Sequence, residues 1–444
     1  MLAKKIQLFI FLHLALLTYT VKADELKPQP SPLLKSLLKK HDFESEDISY
    51  SLRPLNQKGK SQASYRESVP MIPASVTKVP TVWAALKTMG ENQTFTTRLL
   101  ASTSKVKDGV LQGDLYLVGG GDPFLTYSDL INLIMKLKLR GIKKISGDFF
   151  YDQDLFPHHE KISELGEGDQ TYNPSVSPLA IEFNQFSAYH EGPENWTAVP
   201  PFDVFELRTT EDEFSHKLSF RYLKGLSKRE GKEAWLFSEE KDYQKKEDLP
   251  IRNPGRVTAS AIRWISSLWG IELPRPKDKS APSSELTLLG QKTSKPLKEL
   301  AYATLEYSNN LFAETLLLHY ARAKGLSKPT LKTASQLLLK DLKSRFEKKR
   351  FEDWTLINGS GLTTKNRMTA SSLSHLLQNI HDDNFGETSF VGYLSLSGNN
   401  GWIKSRLEKP DEALRVWAKT GSLDYVNNLA GYIFTHSGKA YAFS

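Results

Sequence analysis

Ser75 and Lys78 have the side-chain types and the spacing needed for nucleophilic catalysis. They follow a Pro-Ala pair and lead into an apolar stretch, 82–86, which predicts a helix that ends at Gly90. Because residues at i and i+3 share a face of a helix, the Lys78 amine can reach the Ser75 hydroxyl. A serine hydroxyl needs a base to remove its proton, and a lysine can be that base when burial and neighbouring positive charge lower its pKa. The pair predicts a nucleophile, Ser75, and its general base, Lys78.

The Ser-x-x-Lys pattern is weak by itself. Its ordinary interpretation is a serine that caps a helix and a lysine that is solvated, and Pro80 indicates that this helix begins irregularly. The same pattern recurs at 36–39, 102–105, 104–107 and 238–241. The context along the chain must therefore select the functional copy.

A second polar group, Ser308-Asn309-Asn310, interrupts the helical pattern of 297–324. Two inward-facing polar side chains at i and i+2 suit a loop between two helices better than one continuous helix. In the catalytic interpretation Ser308 relays a proton and Asn310 binds a peptide carbonyl. In the structural alternative the group is only a cap and a turn.

A third group, Lys419-Thr420-Gly421-Ser422, begins at the last residue of a strand pattern over 414–419. Gly421 would let a substrate backbone lie close against the strand. The backbone N–H groups of Ser422 and Ser75 could together form an oxyanion hole. Lys419 and Thr420 would hold the anionic end of a substrate, and Lys419 would also supply positive charge beside the predicted base.

The three groups stand in the order of the motif set of penicillin-binding proteins and class A β-lactamases, with Ser-Asn-Asn in place of the usual Ser-Asp-Asn. Further stretches make the chain resemble the D-alanyl-D-alanine carboxypeptidase/endopeptidase family of low-molecular-weight penicillin-binding proteins (penicillin-binding protein 4 type, peptidase family S13). These stretches are 113–117, 120–126 with its Gly-Gly-Asp-Pro sequence, 252–254, 307–314, 358–362 and 418–423.

The resemblance implies an α/β (α+β) fold: a penicillin-binding protein/β-lactamase-like transpeptidase domain, with an antiparallel sheet flanked by helices and an inserted β-rich domain. It implies acyl transfer to Ser75 from peptidoglycan peptides, with covalent inhibition by β-lactams and no metal or cofactor. Ser308, Asn310, Lys419, Thr420 and Gly421 would complete the site. Asp152 would match an acidic residue that meets the amine of the substrate side chain.

The chain departs from the family pattern in two places. The usual Asp-Gly-Ser-Gly-Leu-Ser-Arg is here Asn-Gly-Ser-Gly-Leu-Thr-Thr at 358–364, which puts some substrate contacts in doubt. The sequence also ends at Ser444, where the family adds a C-terminal helix, so we expect either a truncated end or an abbreviated member.

The predicted elements divide the chain into a catalytic domain, 24–90 plus 274–444, and an inserted accessory domain, 91–273. Apart from the helix after Ser75 and the broken segment 297–324, helical patterns cover 33–40, 127–140, 257–269, 329–346 and 370–380, and strand patterns cover 48–55, 414–419, 428–434 and 439–443. The Lys- and Glu-rich run 227–246 predicts an exposed hairpin or loop. No internal repeat is present in the sequence.

Residues 1–23 form a secretory signal pattern, with Lys4 and Lys5 before an apolar stretch and a small-x-small cleavage site before Asp24. The alternative is an uncleaved anchor, although the apolar stretch is short for a bilayer. We expect a secreted, periplasmic protein without stable membrane insertion. The absence of cysteine excludes disulfides, thiolate chemistry and a lipoprotein anchor.

Composition narrows the partners further. Loss of the signal would leave 56 of the 59 basic residues against 51 acidic ones, a mild excess that suits an anionic wall but is equally typical of a solvated surface. Export and the lack of a basic, aromatic stripe argue against nucleic acid. His158-His159-Glu160 lacks metal-ligand spacing. The rival functions are a serine β-lactamase and a catalytically silent penicillin-sensing or wall-binding protein.

Overall fold

The computed structural model describes residues 30–57, 59–164, 169–192, 195–210, 220–238, 246–283 and 285–444. The predicted signal peptide, 1–23, lies outside these residues. Chain contacts divide the described residues into two units. The first takes in the chain up to Glu91, Lys298–Asn309 and Lys332–Ser444; the second takes in Asn92–Leu297 and Asn310–Leu331. These units are defined by contacts within the chain. The predicted division into a catalytic domain and an accessory domain concerns function, and it stays a prediction.

The first unit is built on a six-stranded antiparallel sheet that joins the two ends of the described chain. The strand Tyr50–Pro54 pairs with the last strand, Ala440–Phe443, which in turn pairs with Val426–Phe434. Leu52, Tyr441 and Phe443 are buried in one apolar cluster with residues of the neighbouring strands. In spatial order the six strands are Ser395–Leu396, Val416–Leu423, Val426–Phe434, Ala440–Phe443, Tyr50–Pro54 and Ala63–Tyr65.

Helices cover this sheet because their apolar faces repeat at helical spacing. Ala370–Ile380 buries Leu373, Leu376 and Leu377 and contacts the central strands. The helices of the first unit are Pro32–His41, Lys78–Met89, Leu297–Glu306, Leu331–Arg345 and Ala370–Ile380, although the first residues of two of them, Leu297 and Leu331, belong to the second unit. Short 3-10 turns are Ser45–Asp47, Ala74–Thr77, Lys348–Phe351, Phe390–Tyr393 and Gly401–Ile403, and a small hairpin pairs Asn384–Phe385 with Thr388–Ser389.

The second unit holds a mixed five-stranded sheet and three smaller sheets. The large sheet runs Lys277–Asp278, Phe149–Asp152, Leu115–Val118, Thr96–Ala101, Thr287–Thr293. The three-stranded sheets are Asn195–Val199, Gln185–Gly192, Lys246–Pro250; Phe205–Thr210, Glu233–Ser238, Phe220–Tyr222; and Val106–Lys107, Val110–Leu111, Lys144–Ile145. Its helices are Tyr127–Leu139, Lys224–Glu230, Pro254–Leu268 and Asn310–Ala323, with a 3-10 turn at Glu182–Asn184.

The exposed hairpin or loop predicted over 227–246 is wrong at Glu233–Ser238. Glu233–Ser238 is a central strand whose Trp235 and Phe237 are fully buried. Glu233 is buried as well, and its carboxylate accepts hydrogen bonds from the backbone N–H groups of Arg252 and Asn253, where the helix Pro254–Leu268 begins. The strand was not predicted because charged residues surround it and Glu233 is itself charged. The burial of Glu233 depends on backbone N–H donors, which the sequence does not indicate.

Candidate active site

Ser75 lies in the 3-10 turn Ala74–Thr77, which runs directly into the helix Lys78–Met89. This irregular start was predicted from Pro80, which falls in the first turn of the α-helix. Ala74 has φ 48°, a left-handed conformation that is uncommon outside glycine and that marks functional sites. The Thr77 hydroxyl donates to Ala74 O at 2.8 Å and so closes the turn around Ser75.

Lys78 is completely buried, and its amine is in contact with Ser75. Nζ donates to Ser75 Oγ at 2.9 Å and to the main-chain oxygen of Ser360 at 2.7 Å. The structure thus brings together the two residues that the i, i+3 spacing predicts to meet. The Ser360 carbonyl fixes the amine from a second direction, so the Nζ–Oγ contact does not depend on a flexible side chain alone.

The loop 358–362 supplies this carbonyl and holds the helix of Lys78. The Thr81 hydroxyl donates to Gly359 O at 2.9 Å. Within the loop, Asn358 Oδ1 accepts from Gly361 N at 3.0 Å and Asn358 Nδ2 donates to Leu362 O at 3.2 Å. A carboxylate could not donate the second bond, which gives a physical reason for Asn where the family usually has Asp.

Ser308 and Lys419 form a second serine–lysine pair in the first unit. Lys419 Nζ donates to Ser308 Oγ at 2.9 Å and to Thr420 O at 2.7 Å, and the lysine side chain is buried. Ser308 has φ 57° and lies between the helices Leu297–Glu306 and Asn310–Ala323. The predicted break in the helical segment is therefore confirmed, and it turns the Ser308 hydroxyl toward the strand of Lys419.

Burial, together with the positive charges of Lys78 and Arg406, holds the pKa of Lys419 well below its usual value. No carboxylate figures among the charges that act on Lys419. Because the repulsion between the two lysines is mutual, the pair favours a state in which one amine is neutral. A neutral amine is what a serine needs as its proton acceptor.

Gly421 lies where the Lys419 strand passes the start of the Ser75 turn. A Cβ at this position would stand 2.8 Å from Pro73 O and 3.0 Å from Ser75 N. Only glycine permits this approach without a shift of the turn. Thr420 is buried beside it, while Ser422 is exposed and its hydroxyl donates to Asn427 Oδ1 at 3.1 Å. The oxyanion role of the Ser422 N–H stays a prediction.

Two predicted residues make other contacts in the second unit. Asn310 Nδ2 donates to Tyr172 O at 2.7 Å. Both carboxylate oxygens of Asp152 accept backbone N–H groups, from Asp154 and Ala281, at 2.8 Å each. Asp152 therefore closes a loop, and its proposed contact with a substrate amine stays a prediction.

The segment His158-His159-Glu160 makes contacts within the second unit. His159 pairs through its backbone with Val176, and Glu160 forms an ion pair with Lys224 at 2.7 Å. Across the described ranges no group of three or more His, Cys, Asp or Glu side chains is arranged to hold a metal ion. In the same residues no helix has the length and apolar character needed to cross a membrane.

A serine hydroxyl beside a buried lysine amine, with a second serine–lysine pair next to it, defines a serine hydrolase of the Ser-x-x-Lys class. The comparisons with known proteins agree with this class. The model of the D-Ala-D-Ala carboxypeptidase 3 (S13) family matches residues 33–211 and 270–444, so the chain belongs to this family of serine-type D-Ala-D-Ala carboxypeptidases.

Relatives and solved structures support the assignment. D-alanyl-D-alanine carboxypeptidase DacB of Haemophilus influenzae is 28% identical over 424 residues, which cover 90% of this chain and 85% of that protein. The crystal structure of penicillin-binding protein 4 (dacB) from the same organism has a TM-score of 0.76 and 27% identity, covering 89% of this chain and 88% of that one. A second structure of that protein, with a β-lactam, has a TM-score of 0.72 and 25% identity over the same shares. The predicted family and fold class are confirmed.

Proposed function

We propose that the chain cleaves D-Ala-terminated peptides of bacterial peptidoglycan through an acyl-enzyme on Ser75. The observation that carries the proposal is the 2.9 Å contact between Lys78 Nζ and Ser75 Oγ, in which the amine is buried and anchored on Ser360 O. In its neutral form the Lys78 amine accepts the hydroxyl proton while Ser75 Oγ bonds to the carbonyl carbon of the penultimate D-Ala.

The attack gives a tetrahedral oxyanion, which the backbone N–H groups of Ser75 and Ser422 stabilise. The carbon–nitrogen bond then breaks and the departing amine takes a proton, which the Ser308–Lys419 pair relays through its 2.9 Å contact. Water hydrolyses the ester on Ser75 in the second half of the reaction and restores the free hydroxyl. Asn310 binds a peptide carbonyl of the substrate, and Lys419 and Thr420 bind its anionic end.

The substrates include stem peptides that end in D-Ala-D-Ala and peptide cross-links, so that the same chemistry gives carboxypeptidase and endopeptidase activity. β-Lactams acylate Ser75 and stay attached. The Haemophilus influenzae protein crystallised with a β-lactam supports this part of the proposal. The protein acts outside the cytoplasm, in the periplasm, which accords with the signal pattern of residues 1–23.

The test is release of D-Ala from diacetyl-Lys-D-Ala-D-Ala and cleavage of a cross-linked muropeptide dimer. We expect both from the wild type and neither from Ser75→Ala. Ser36→Ala is the matched control, because Ser36 begins another Ser-x-x-Lys sequence on the exposed face of the helix Pro32–His41. Loss of activity in both variants, or in neither, would contradict the role of Ser75.

Nitrocefin separates the proposal from its rivals. A carboxypeptidase of this design forms a long-lived adduct and turns nitrocefin over slowly. Rapid, repeated turnover would instead identify a β-lactamase. A protein that neither reacts with nitrocefin nor releases D-Ala would be the catalytically silent wall-binding or penicillin-sensing protein.

A further inference from the structure

Arg406 is a partly buried arginine whose side chain has no partner among the described residues. Its guanidinium makes no hydrogen bond and no ion pair with any of the residues that the structure describes. Burial lowers the pKa of Arg406, and no carboxylate offsets this effect. Arg53 in the same unit is different, because it donates to Ser374 and lies 3.7 Å from the carboxylate of Glu67. Removing a cation partly from water costs free energy when no anion lies beside it. A binding site for an anionic ligand is a place where a protein keeps such a cation, because the ligand supplies the anion.

Two sets of contacts hold the loop of Arg406 beside the second serine–lysine pair. On one side, Trp402 Nε1 donates at 3.2 Å to the main-chain oxygen of Tyr307, the residue before Ser308. On the other side, Leu407 is buried in one apolar cluster with Ala418, the residue before Lys419. Arg406 therefore lies in a loop that is fastened to the segments of Ser308 and Lys419 at once.

Positive charge surrounds Lys419. Lys78 and Arg406 both act on Lys419 as like charges, and no carboxylate acts on it from the described residues. The lysines are held by serine hydroxyls and main-chain oxygens, which are neutral acceptors. The region therefore attracts an anion, and Arg406 is the member of the cluster whose donors are uncommitted.

We propose that Arg406 binds the free carboxylate of the C-terminal residue that the reaction releases, and the ring carboxylate of a β-lactam in the same way. The inference rests on the proposed function and adds a specificity-determining residue to it. A guanidinium presents two parallel N–H donors that match the two oxygens of a carboxylate, which a lysine cannot do. Lys419 and Thr420 would meet the same carboxylate from the strand. The site would thus select peptides that end in a free acid.

The experiment compares diacetyl-Lys-D-Ala-D-Ala with its C-terminal amide. Penicillin G and its methyl ester form a second acid and neutral pair, followed by mass spectrometry of the acyl-enzyme. For Arg406→Gln we expect kcat/KM for the acid peptide, and the acylation rate with penicillin G, to fall by about 10- to 100-fold, the size of a charge-assisted hydrogen bond. The rates for the amide and the ester should stay within about twofold, because charge-neutral ligands do not need the guanidinium.

Two further variants sharpen the result. Arg406→Lys keeps the charge and should recover part of the preference for the acid. Lys404→Gln removes an exposed charge from the same loop and should leave the ratio of the rates for acid and neutral ligands unchanged. Loss of Arg406 also raises the pKa of Lys419 toward its usual value, but this effect acts equally on both ligands and cancels in the ratio.

An equal fall with acid and neutral ligands would assign Arg406 to the structure of the loop and overturn the proposal. Unchanged rates with all ligands would overturn it as well. A failure of the proposed function looks different, because then the wild type itself would release no D-Ala and form no adduct. Melting curves of Arg406→Gln and Arg406→Lys identify a folding defect. If Arg406→Gln is misfolded, the ratio of kcat/KM for the acid peptide to that for the amide, measured on Arg406→Lys, tests the proposal instead.

Discussion

Substitution of Gly361 by alanine tests whether the loop 358–362 sets the position of the nucleophile. Gly361 has φ 82°, and a Cβ there would stand 1.8 Å from Ala74 O and 2.8 Å from Thr77 Oγ1. Ala74 immediately precedes Ser75, so the clash falls on the turn that carries the nucleophile. The methyl group cannot be accommodated unless the turn or the loop moves by more than about 1 Å, since ordinary contacts of this kind begin near 3.4 Å.

Two costs follow from this geometry. The left-handed conformation costs an alanine about 1–2 kcal/mol, and overpacking of a well-packed site adds about 1–3 kcal/mol. The free energy of unfolding should therefore fall by roughly 2–5 kcal/mol. A shift of about 1 Å in a reacting group costs about 100-fold in rate, so we expect acylation of Ser75 by penicillin G to slow by that factor in the molecules that remain folded.

Gly438→Ala is the matched control. Gly438 has φ 77°, nearly the same backbone conformation, but no atom lies within 4 Å of the position that a Cβ would take, and the residue belongs to the hairpin after Phe434. The variant should lose only the conformational part, about 1–2 kcal/mol, and acylate at the wild-type rate. The assay combines denaturant unfolding with the rate of adduct formation per folded molecule. Acylation of Gly361→Ala within threefold of the control would refute the argument.

Three other predictions, two for substitutions and one for the pH dependence of acylation, follow from the contacts of the site. Lys78→Met should slow acylation at least about 1000-fold, because Ser75 loses its proton acceptor. Lys87→Met is the control and should acylate at the wild-type rate, because Lys87 lies on the same helix but is more exposed and pairs with Asp383 at 2.8 Å. Equal rates for the two variants would contradict the assignment of Lys78 as the base. Thr81→Val keeps the shape of the side chain but removes two buried hydrogen bonds, to Gly359 O and to Thr77 O, each worth about 0.5–1.5 kcal/mol. Thermal or denaturant unfolding should therefore show a loss of about 1–3 kcal/mol in the free energy of unfolding, and an unchanged value would show that these bonds do not stabilise the fold. Acylation should rise with pH and reach its midpoint below the ordinary lysine value of 10.5. Acylation needs one neutral amine in the coupled Lys78–Lys419 pair, and burial and neighbouring positive charge lower the pKa of Lys419, so the first proton leaves the pair below that value. A stopped-flow profile that rises only at the ordinary lysine value would contradict the coupling between the two amines.

Much of the fold could be predicted from local patterns. The helices Pro32–His41, Tyr127–Leu139 and Ala370–Ile380 lie within about two residues of their predicted bounds, because their apolar residues repeat at helical spacing and end at recognisable caps. The strand of Lys419 extends to Leu423, further than its apolar pattern, since its polar residues are paired across the hairpin with Val426–Phe434. Pairing between the first and last described strands depends on contacts distant in sequence, which local pattern does not encode.

Some contacts of the candidate site could likewise be predicted from the sequence, and others could not. The contacts of Ser75 with Lys78 and of Ser308 with Lys419 join residues that the order of the motifs predicts to act together, and their catalytic roles stay proposals. The Ser360 carbonyl escaped prediction because every residue has a main-chain oxygen, and its position depends on the folded loop. Arg406 was not predicted either, because the lack of a side-chain partner among the described residues can be recognised only in the folded structure.

Intact-protein mass spectrometry after incubation with penicillin G tests the central claim most directly. The acyl-enzyme account predicts one stable adduct of one penicillin mass on the wild type, located on the peptide that contains Ser75, and no adduct on Ser75→Ala. An adduct that persists in Ser75→Ala, or a wild-type protein that forms no adduct and hydrolyses no penicillin, would contradict it.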